Sequence, residues 1–210
     1  LNAAGINLTN GSGLASNYTL TGGSHNITIT PKPTSVTGSR QYNATNTVNG
    51  SDFGSSAVYN NLISGDSITL SGSGTIASAN VGNSYNVTLA TISSLNTNYS
   101  ISSATIDITP SILNLQGMEN FQGSGSTIIN ANQLVMNTLG GQTLVLSGSG
   151  SIQSYSPGNN VISLGTLSIG NGSGLASNYT LTGGNHIYTI LYTTRMQVAN
   201  ALQAAASNGK

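Results

Sequence analysis

The chain contains no cysteine and no tryptophan, and it has only four basic and four acidic residues among 210. The absence of cysteine excludes disulfides and thiolate metal sites. The scarcity of lysine and arginine argues against binding to nucleic acid or to a membrane surface, since both need clustered positive charge. No apolar run approaches the roughly 18 residues of a membrane span. The sequence therefore predicts neither a charged binding surface nor membrane insertion.

The polar character of the chain comes from serine, threonine, asparagine and glycine. These residues form turns and local backbone hydrogen bonds, and they disfavour helix interiors. Between them lie short runs rich in β-branched residues and leucine, such as the alternation of Tyr85, Val87 and Leu89. Short runs bounded by turn residues predict an all-β fold of small antiparallel β domains, either sandwiches or β-grasp-like sheets. A β-solenoid shares this composition and is the alternative.

One stretch of the sequence occurs twice, since Asn10–Gly23 returns without a change as Asn171–Gly184. A diverged copy lies between them, because Asn98–Pro110 matches Asn17–Pro31. The spacing indicates a repeat of roughly 80 residues, which is the size of a small β domain. Each copy contributes one equivalent tyrosine: Tyr18, Tyr99 and Tyr179.

The repeat predicts a division of the chain into four parts. These are the terminal strands of a truncated preceding repeat (1–31), a first full β repeat (32–110), a second β repeat (111–190) and a C-terminal tail or helix (191–210). Pro31 and Pro110 each follow a strand-like stretch, and proline there ends the strand and stiffens a short linker. Residues 1–31 are expected to cap the next module, to fray or to pair with another molecule by strand addition.

The last residues of the chain differ from the repeat. From about Thr194 the composition favours helix, and one face would carry Met196, Ala199, Leu202 and Ala206. Two interpretations stay open: a short capping helix or frayed tail, and a helix that docks on a partner. Nothing at the beginning of the chain resembles a signal peptide, so we expect an internal slice of a longer protein.

The sequence offers few residues for chemistry. The carboxylates are Asp52, Asp66, Asp107 and Glu119. Because they lie in different loops and repeats, we expect them to form neither a glycosidase pair nor a calcium cluster. His25 and His186 are repeat equivalents far apart in the chain, which favours exposed or half-buried strand histidines over a zinc site. The repeated tyrosines are expected to pack or to anchor a hydrogen bond. We predict no catalytic residue, no metal site and no cofactor, and we assign no ligand-binding residue.

Three short motifs carry a resemblance to a known family. They are Ser-Gly-Asp at Ser64–Asp66, Asn-Val-Gly at Asn80–Gly82 and Asp-Ile-Thr-Pro at Asp107–Pro110. With the strands between them, they resemble the YDG/MBG-type repeats of filamentous-haemagglutinin-like adhesins of Gram-negative bacteria. The resemblance covers nearly the whole chain up to about residue 190.

The chain departs from that family pattern in three places. The start motif Tyr-Asp-Gly is replaced by Tyr-Asn-Ala at Tyr42–Ala44 and by Phe-Gln-Gly at Phe121–Gly123. The second repeat has Leu-Gly-Gly at Leu139–Gly141 where the first has Ser-Gly-Asp.

The resemblance implies a function without catalysis. It implies a secreted protein displayed on the bacterial surface, in which tandem β modules form the stalk of a large adhesin. The alternative is a module in the same adhesin that binds a carbohydrate or a host protein. The implied partners are host glycans or surface proteins, with strand-addition contacts between neighbouring repeats and no nucleic acid.

Overall fold

The computed structural model describes residues 5–192 and, beyond them, residues 195, 199, 202–204 and 206–207. Residues 32–109 contain eight strands: β1 (Lys32–Gln41), β2 (Thr47–Asn49), β3 (Val58–Tyr59), β4 (Leu70–Ser71), β5 (Ser73–Thr75), β6 (Gly82–Asn86), β7 (Ser93–Ser94) and β8 (Tyr99–Thr109). Residues 111–191 contain ten: β9 (Ser111–Ile112), β10 (Leu115–Asn120), β11 (Ile128–Asn130), β12 (Val135–Met136), β13 (Leu144–Ser147), β14 (Ser149–Ile152), β15 (Gly158–Ser163), β16 (Ser168–Asn171), β17 (Tyr179–Thr180) and β18 (Ile187–Leu191). Short 3₁₀ segments occur at Ala15–Asn17, Gly50–Ser56, Ala131–Gln133 and Ala176–Asn178, and Gly50–Ser56 is interrupted by a kink at Gly54.

The first repeat is organised around a mixed sheet with the order β3-β1-β8-β6. Its central pair is parallel, because β1 runs beside β8 from Lys32 opposite Tyr99 to Gln41 opposite Thr109. The outer strands β3 and β6 are antiparallel to this pair. Two small antiparallel pairs, β2 with β5 and β4 with β7, complete the repeat.

The second repeat has the same central arrangement in a longer sheet, with the order β11-β14-β15-β18-β10-β12. Strand β10 is parallel to β18, with Gln116 opposite Ile187, while β12 and β15 flank the pair in antiparallel orientation. The small antiparallel pair of β13 and β16 completes the repeat. Strand β9 lies parallel to β17 at the entry to the repeat.

The all-β prediction is confirmed, but the strand directions differ from the predicted antiparallel arrangement. The first and last strands of each repeat lie side by side in parallel, because the rest of the repeat provides the long crossover that a parallel pair needs. A central parallel pair with antiparallel strands on both sides is the strand order of a β-grasp-like sheet. The β-solenoid alternative is wrong, since the parallel partners are the two ends of one repeat and not successive coils.

The core follows the alternation of the central strands. Ile106 and Ile108 of β8 are fully buried, as are Tyr188 and Ile190 at the corresponding positions of β18. Their buried side chains belong to one hydrophobic cluster that includes residues of both repeats. Burial of alternate residues on one face is the main favourable term for such sheets.

Residues 5–31 contain no strand, although their sequence continues the repeat. Ile27 and Ile29 align with the buried Ile106 and Ile108, yet Ile29 is 86% exposed. A β-strand requires a neighbour for its backbone hydrogen bonds, and none of the described strands pairs with this stretch. The same residue pattern is therefore a strand in one place and an extended segment in another.

The predicted short C-terminal helix is confirmed. Among the described residues, 195, 199, 202–204 and 206–207 are helical and exposed, whereas Met196 lies outside the described residues. No helix in the described part of the chain is long and apolar enough to cross a membrane.

Candidate functional site

The repeated tyrosines Tyr99 and Tyr179 are buried, and each hydroxyl is held by a turn earlier in its own repeat. The backbone N–H of Ile63 donates to the Tyr99 hydroxyl at 3.1 Å, and the hydroxyl donates to Asp66 Oδ2 at 2.5 Å. This is the packing with an anchoring hydrogen bond that the sequence favours. The motif Ser-Gly-Asp therefore serves to receive the tyrosine of the last strand.

The second repeat makes the same contact without an aspartate. The N–H of Leu139 donates to the Tyr179 hydroxyl at 3.2 Å, and this hydroxyl donates to Gln142 Oε1 at 2.8 Å. Gln142 thus takes the place of Asp66. The sequence contains the signal for this substitution, because aligning the stretch Ile68–Ser71 with Leu144–Ser147 sets Asp66 opposite Gln142.

Both turns depend on glycine. Gly65 has a φ of 93° and Gly141 a φ of 70°, a left-handed conformation that glycine adopts without steric cost. Each turn closes through a backbone hydrogen bond. The N–H of Asp66 donates to the carbonyl oxygen of Ile63, and the N–H of Gln142 donates to that of Leu139. The departure Leu-Gly-Gly therefore preserves the turn.

The surroundings of the two tyrosines keep their hydroxyls protonated. The hydrogen bond to Asp66 is the main cause that raises the pKa of Tyr99 above its ordinary value. Burial is the main cause that raises the pKa of Tyr179. Both phenols are therefore neutral groups that donate to fixed acceptors.

Tyr179 also contacts the first repeat. Its ring packs edge-on against Tyr42, with ring centroids 5.3 Å apart and an interplanar angle of 75°. Gln142 Nε2 donates to the Tyr42 hydroxyl at 2.7 Å, so one glutamine side chain binds both tyrosines. Tyr42 is the residue that begins the start motif of the first repeat, and it is buried.

A second contact between the repeats is made by Asn178, which is only 1% exposed. Its Oδ1 accepts a hydrogen bond from the N–H of Val81 at 2.9 Å, and its Nδ2 donates to Asn80 Oδ1 at 2.9 Å. A buried amide with both ends paired fixes the relative position of the two segments. The motif Asn-Val-Gly at Asn80–Gly82 is thus the receiving loop.

We call these six residues the inter-repeat joint: Tyr42, Asn80, Val81, Gln142, Asn178 and Tyr179. The sequence analysis identified Tyr179 as a packed residue, but it did not connect it with the first repeat. Pairing across such a distance has no local signal in one sequence.

The two histidines occupy equivalent places and do not meet. Nε2 of His186 lies 2.8 Å from the carbonyl oxygen of Leu181, while its Nδ1 accepts from the N–H of Leu115 at 3.1 Å. In these two contacts Nδ1 is the acceptor and Nε2 faces an acceptor oxygen. His186 is buried, more deeply than the exposed or half-buried position that the sequence predicts, whereas His25 is half-buried.

The charged residues are dispersed, as the sequence indicates. Arg40 Nε lies 3.9 Å from Asp52 Oδ2. Burial lowers the pKa of Arg40, and the Asp52 carboxylate raises it by a smaller amount. Asp107 accepts from the N–H of Ser84 at 2.6 Å. Among the described residues, no three side chains of the His, Cys, Asp and Glu type come together in a way that could hold a metal ion.

The outer face of the second sheet carries a groove of about 690 Å³. Its apolar residues are Met118, Val135, Ile187 and Leu191, and amides of glutamine and asparagine border it. Met118 is 71% exposed. We call this surface the second outer face.

The corresponding face of the first sheet is polar. The strand registers set Ser39 in the place of Met118 and Thr105 in the place of Ile187. This face has a smaller hollow of about 270 Å³, bordered by hydroxyl groups and the carboxylate of Asp107. These two positions thus face the solvent as hydroxyls in the first repeat and as apolar side chains in the second, whereas Val58, in the place of Val135, is an exposed aliphatic residue of the first repeat.

A loop difference contributes to this contrast. The 3₁₀ segment Gly50–Ser56 of the first repeat is longer than its counterpart Ala131–Gln133. The hydroxyl of Ser56 accepts from the N–H of Ser39 at 2.9 Å and donates to the Ser39 carbonyl oxygen at 3.0 Å. These hydrogen bonds cover the backbone of β1 at Ser39.

Comparison with known proteins identifies one family. The model of the YDG domain family matches residues 25–106, a range that includes Tyr42 and the receiving motifs at Ser64–Asp66 and Asn80–Gly82. No curated protein and no solved structure matches the chain. The match covers 82 of the 210 residues, so residues 25–106 of this chain are similar to the YDG domain.

Proposed function

We propose that this chain is a stalk segment of a large secreted bacterial surface adhesin of the filamentous-haemagglutinin-like type, and that it is not an enzyme. The observation that carries the proposal is the inter-repeat joint. Two repeats connected only by a linker would rotate freely, and a buried contact between them opposes this. A stalk needs this property, because it must hold its tip away from the cell.

The joint combines two kinds of interaction. The edge-on pair of Tyr42 and Tyr179 buries aromatic surface, and such a pair contributes about 0.5–1.5 kcal/mol beyond the burial itself. The amides of Gln142 and Asn178 add directional hydrogen bonds on either side of it. Because uncharged groups make these contacts, the joint is expected to be insensitive to salt.

Differential scanning calorimetry tests the coupling. We expect the chain to unfold in one cooperative transition, and Tyr42→Ala to separate it into two transitions. Phe121→Ala is the matched control, since Phe121 is the equivalent residue but stacks on Tyr155 within the second repeat, at a centroid distance of 5.4 Å. Two independent transitions in the unmodified chain would rule out a rigid joint and with it this form of the stalk proposal.

A second candidate function is a module that binds a host glycan or a host protein within the same adhesin. The second outer face favours it, because its groove of about 690 Å³ is larger and more apolar than the hollow of about 270 Å³ on the first repeat. The test is binding of the chain to a glycan array and to host-cell surfaces, with Met118→Asp and Ser39→Asp as paired variants. Saturable binding that only Met118→Asp abolishes would support this candidate, and no binding above an inert β domain would leave the stalk function alone.

A further inference from the structure

The inter-repeat joint has two sides, which belong to different repeats. The second repeat contributes the inserting side, which is Gln142, Asn178 and Tyr179. The first repeat contributes the receiving side, which is Tyr42, Asn80 and Val81. Because the two repeats share the same central arrangement, each of them has positions for both sides.

The first repeat has an inserting side of its own, and it is uncovered. Its residues are Asp66, Asn98 and Tyr99, each equivalent to one inserting residue of the joint. Asn98 and Asp66 are exposed, whereas Asn178 is 1% exposed and Gln142 is half-buried. The inserting side of the first repeat is therefore built in the same way but lacks the neighbour that covers its counterpart.

The backbone presents the two asparagines alike. The N–H of Tyr99 donates to the carbonyl oxygen of Asn96 at 3.0 Å, and the N–H of Tyr179 donates to that of Ala176. In both repeats the asparagine lies within this turn, directly before a strand that begins at the tyrosine. Asn98 is thus positioned for the contacts that its equivalent makes in the joint.

We propose that the uncovered inserting side of the first repeat is the docking surface for another repeat of the same type, placed ahead of it in tandem. Asn17–Pro31 supports this occupant, since it carries the sequence of the end of a repeat directly before β1. The docking deepens the proposed stalk function and rests on it, because it uses the same joint a second time.

The chemistry of the inserting side specifies what the docked repeat presents. Gln142 donates to the hydroxyl of Tyr42, whereas the carboxylate of Asp66 accepts hydrogen bonds. A tyrosine hydroxyl can accept from the first and donate to the second, so a start-motif tyrosine fits both. Asn98 in turn requires a loop with a free N–H and an amide, as in the motif Asn-Val-Gly.

The second repeat does not have a receiving side of this kind. The strand registers set Pro157 in the place of Val81, and proline has no N–H to donate to an asparagine. Phe121 stands in the place of Tyr42, lacks a hydroxyl and stacks on Tyr155. The docked repeat is therefore of the type of the first repeat and not of the second, which gives the contact a direction along the chain.

A chain in which residues 32–110 occur twice in succession tests the proposal. It contains the full chain, and its new junction from Pro110 to Lys32 has the same two residues as the natural junction from Pro31 to Lys32. The receiving side of the first copy then meets the inserting side of the second copy. Asn98→Ala is made in the second copy, and the same substitution in the first copy is the matched control.

We expect Asn98→Ala in the second copy to lower the urea midpoint by a shift comparable to that of Asn178→Ala. In the first copy, and in the chain without the duplication, the midpoint should not move, because Asn98 is exposed there. Equal midpoints for the two copies would overturn the proposal. If Asn178→Ala still shifts the midpoint in that case, the joint between the two present repeats stands; if it does not, the stalk proposal fails as well.

Thiol labelling provides an independent readout, since the chain has no native cysteine. Asn98→Cys is placed in one copy at a time and treated with a maleimide under native conditions. We expect labelling to be several-fold slower in the second copy than in the first copy or in the chain without the duplication. Equal rates in the two copies would contradict the docking.

Discussion

Asn10–Gly23 and Asn171–Gly184 have one sequence, yet they occupy two different environments. Tyr18 of the first copy is 69% exposed, whereas Tyr179 of the second is 4% exposed. The first copy precedes the sheets, and the second is packed within its repeat and against the neighbouring one. Identical residues are therefore solvent-facing in one place and central to the inter-repeat joint in the other.

The local structure of the two copies is nevertheless the same. The side chain of Asn10 accepts from the N–H of Ala15 at 2.7 Å, and Asn171 accepts from Ala176 at 2.7 Å. Each copy then forms a 3₁₀ turn and places the Nε2 atom of a histidine near a leucine carbonyl oxygen. Short-range hydrogen bonds therefore form in both copies, whereas packing buries only the second copy.

The largest effect is expected for the tyrosines. Tyr179→Ala should lower the free energy of unfolding by about 3–5 kcal/mol, because it removes a buried aromatic ring. Tyr18→Ala should change it by less than about 0.5 kcal/mol, as exposed positions do. Urea unfolding of both variants measures the difference, and similar losses in the two would show that the first copy is also packed.

The histidines give the next contrast. His186→Ala should cost about 2–4 kcal/mol, because it leaves a cavity and an unpaired N–H at Leu115. His25→Ala is the matched variant and should cost much less. Thermal unfolding of the pair is the measurement, and an equal shift in Tm would contradict the different burial of the two rings.

The asparagines test the joint itself. Asn178→Ala should cost about 1–3 kcal/mol, since the buried N–H of Val81 loses its acceptor. Asn17→Ala occupies the same place in the exposed copy and should be nearly neutral. If both variants unfold at the same denaturant concentration as the unmodified chain, Asn178 does not stabilise the joint.

Beyond the identical stretch, Tyr188 stands where the exposed copy has Ile27. Burial and then the neighbouring Glu119 raise the pKa of Tyr188 from its ordinary value near 10 to about 12. A raised pKa in the folded state means that the tyrosine stabilises the fold fully below about pH 10 and loses this contribution as the pH rises through about 12.

Tyr188→Phe should remove that part of the alkaline dependence and cost only about 1 kcal/mol at neutral pH, through the lost hydrogen bond from Gln133. The measurement is the unfolding free energy from pH 8 to about pH 12. The same slope in both proteins would mean that other groups cause the alkaline loss.

The sequence predicted the class of fold from local patterns. Alternation at Tyr85, Val87 and Leu89 and the turns between short runs are properties of neighbouring residues, and they identified β structure. Strand direction has no such signal. The parallel pairing of β1 with β8 joins the two ends of a repeat, and each strand has the same alternation in either orientation.

The candidate site was only partly visible in the sequence. The repetition of Tyr18, Tyr99 and Tyr179 indicated a structural role, which the buried copies have. Gln142 and Asn178 were not recognised. Both side chains are amides, and each gains its role only when a partner from the other repeat lies within hydrogen-bonding distance.

The sequence by itself determined the repeat, the positions of the turns and the local hydrogen bonds that both copies share. Those bonds join groups a few residues apart, so they form wherever the sequence occurs. Only the tertiary structure decided which copy is buried, which stretch becomes a strand and which outer face is apolar. Ladder hydrogen bonds and burial require a second segment, and where that segment lies depends on the whole chain.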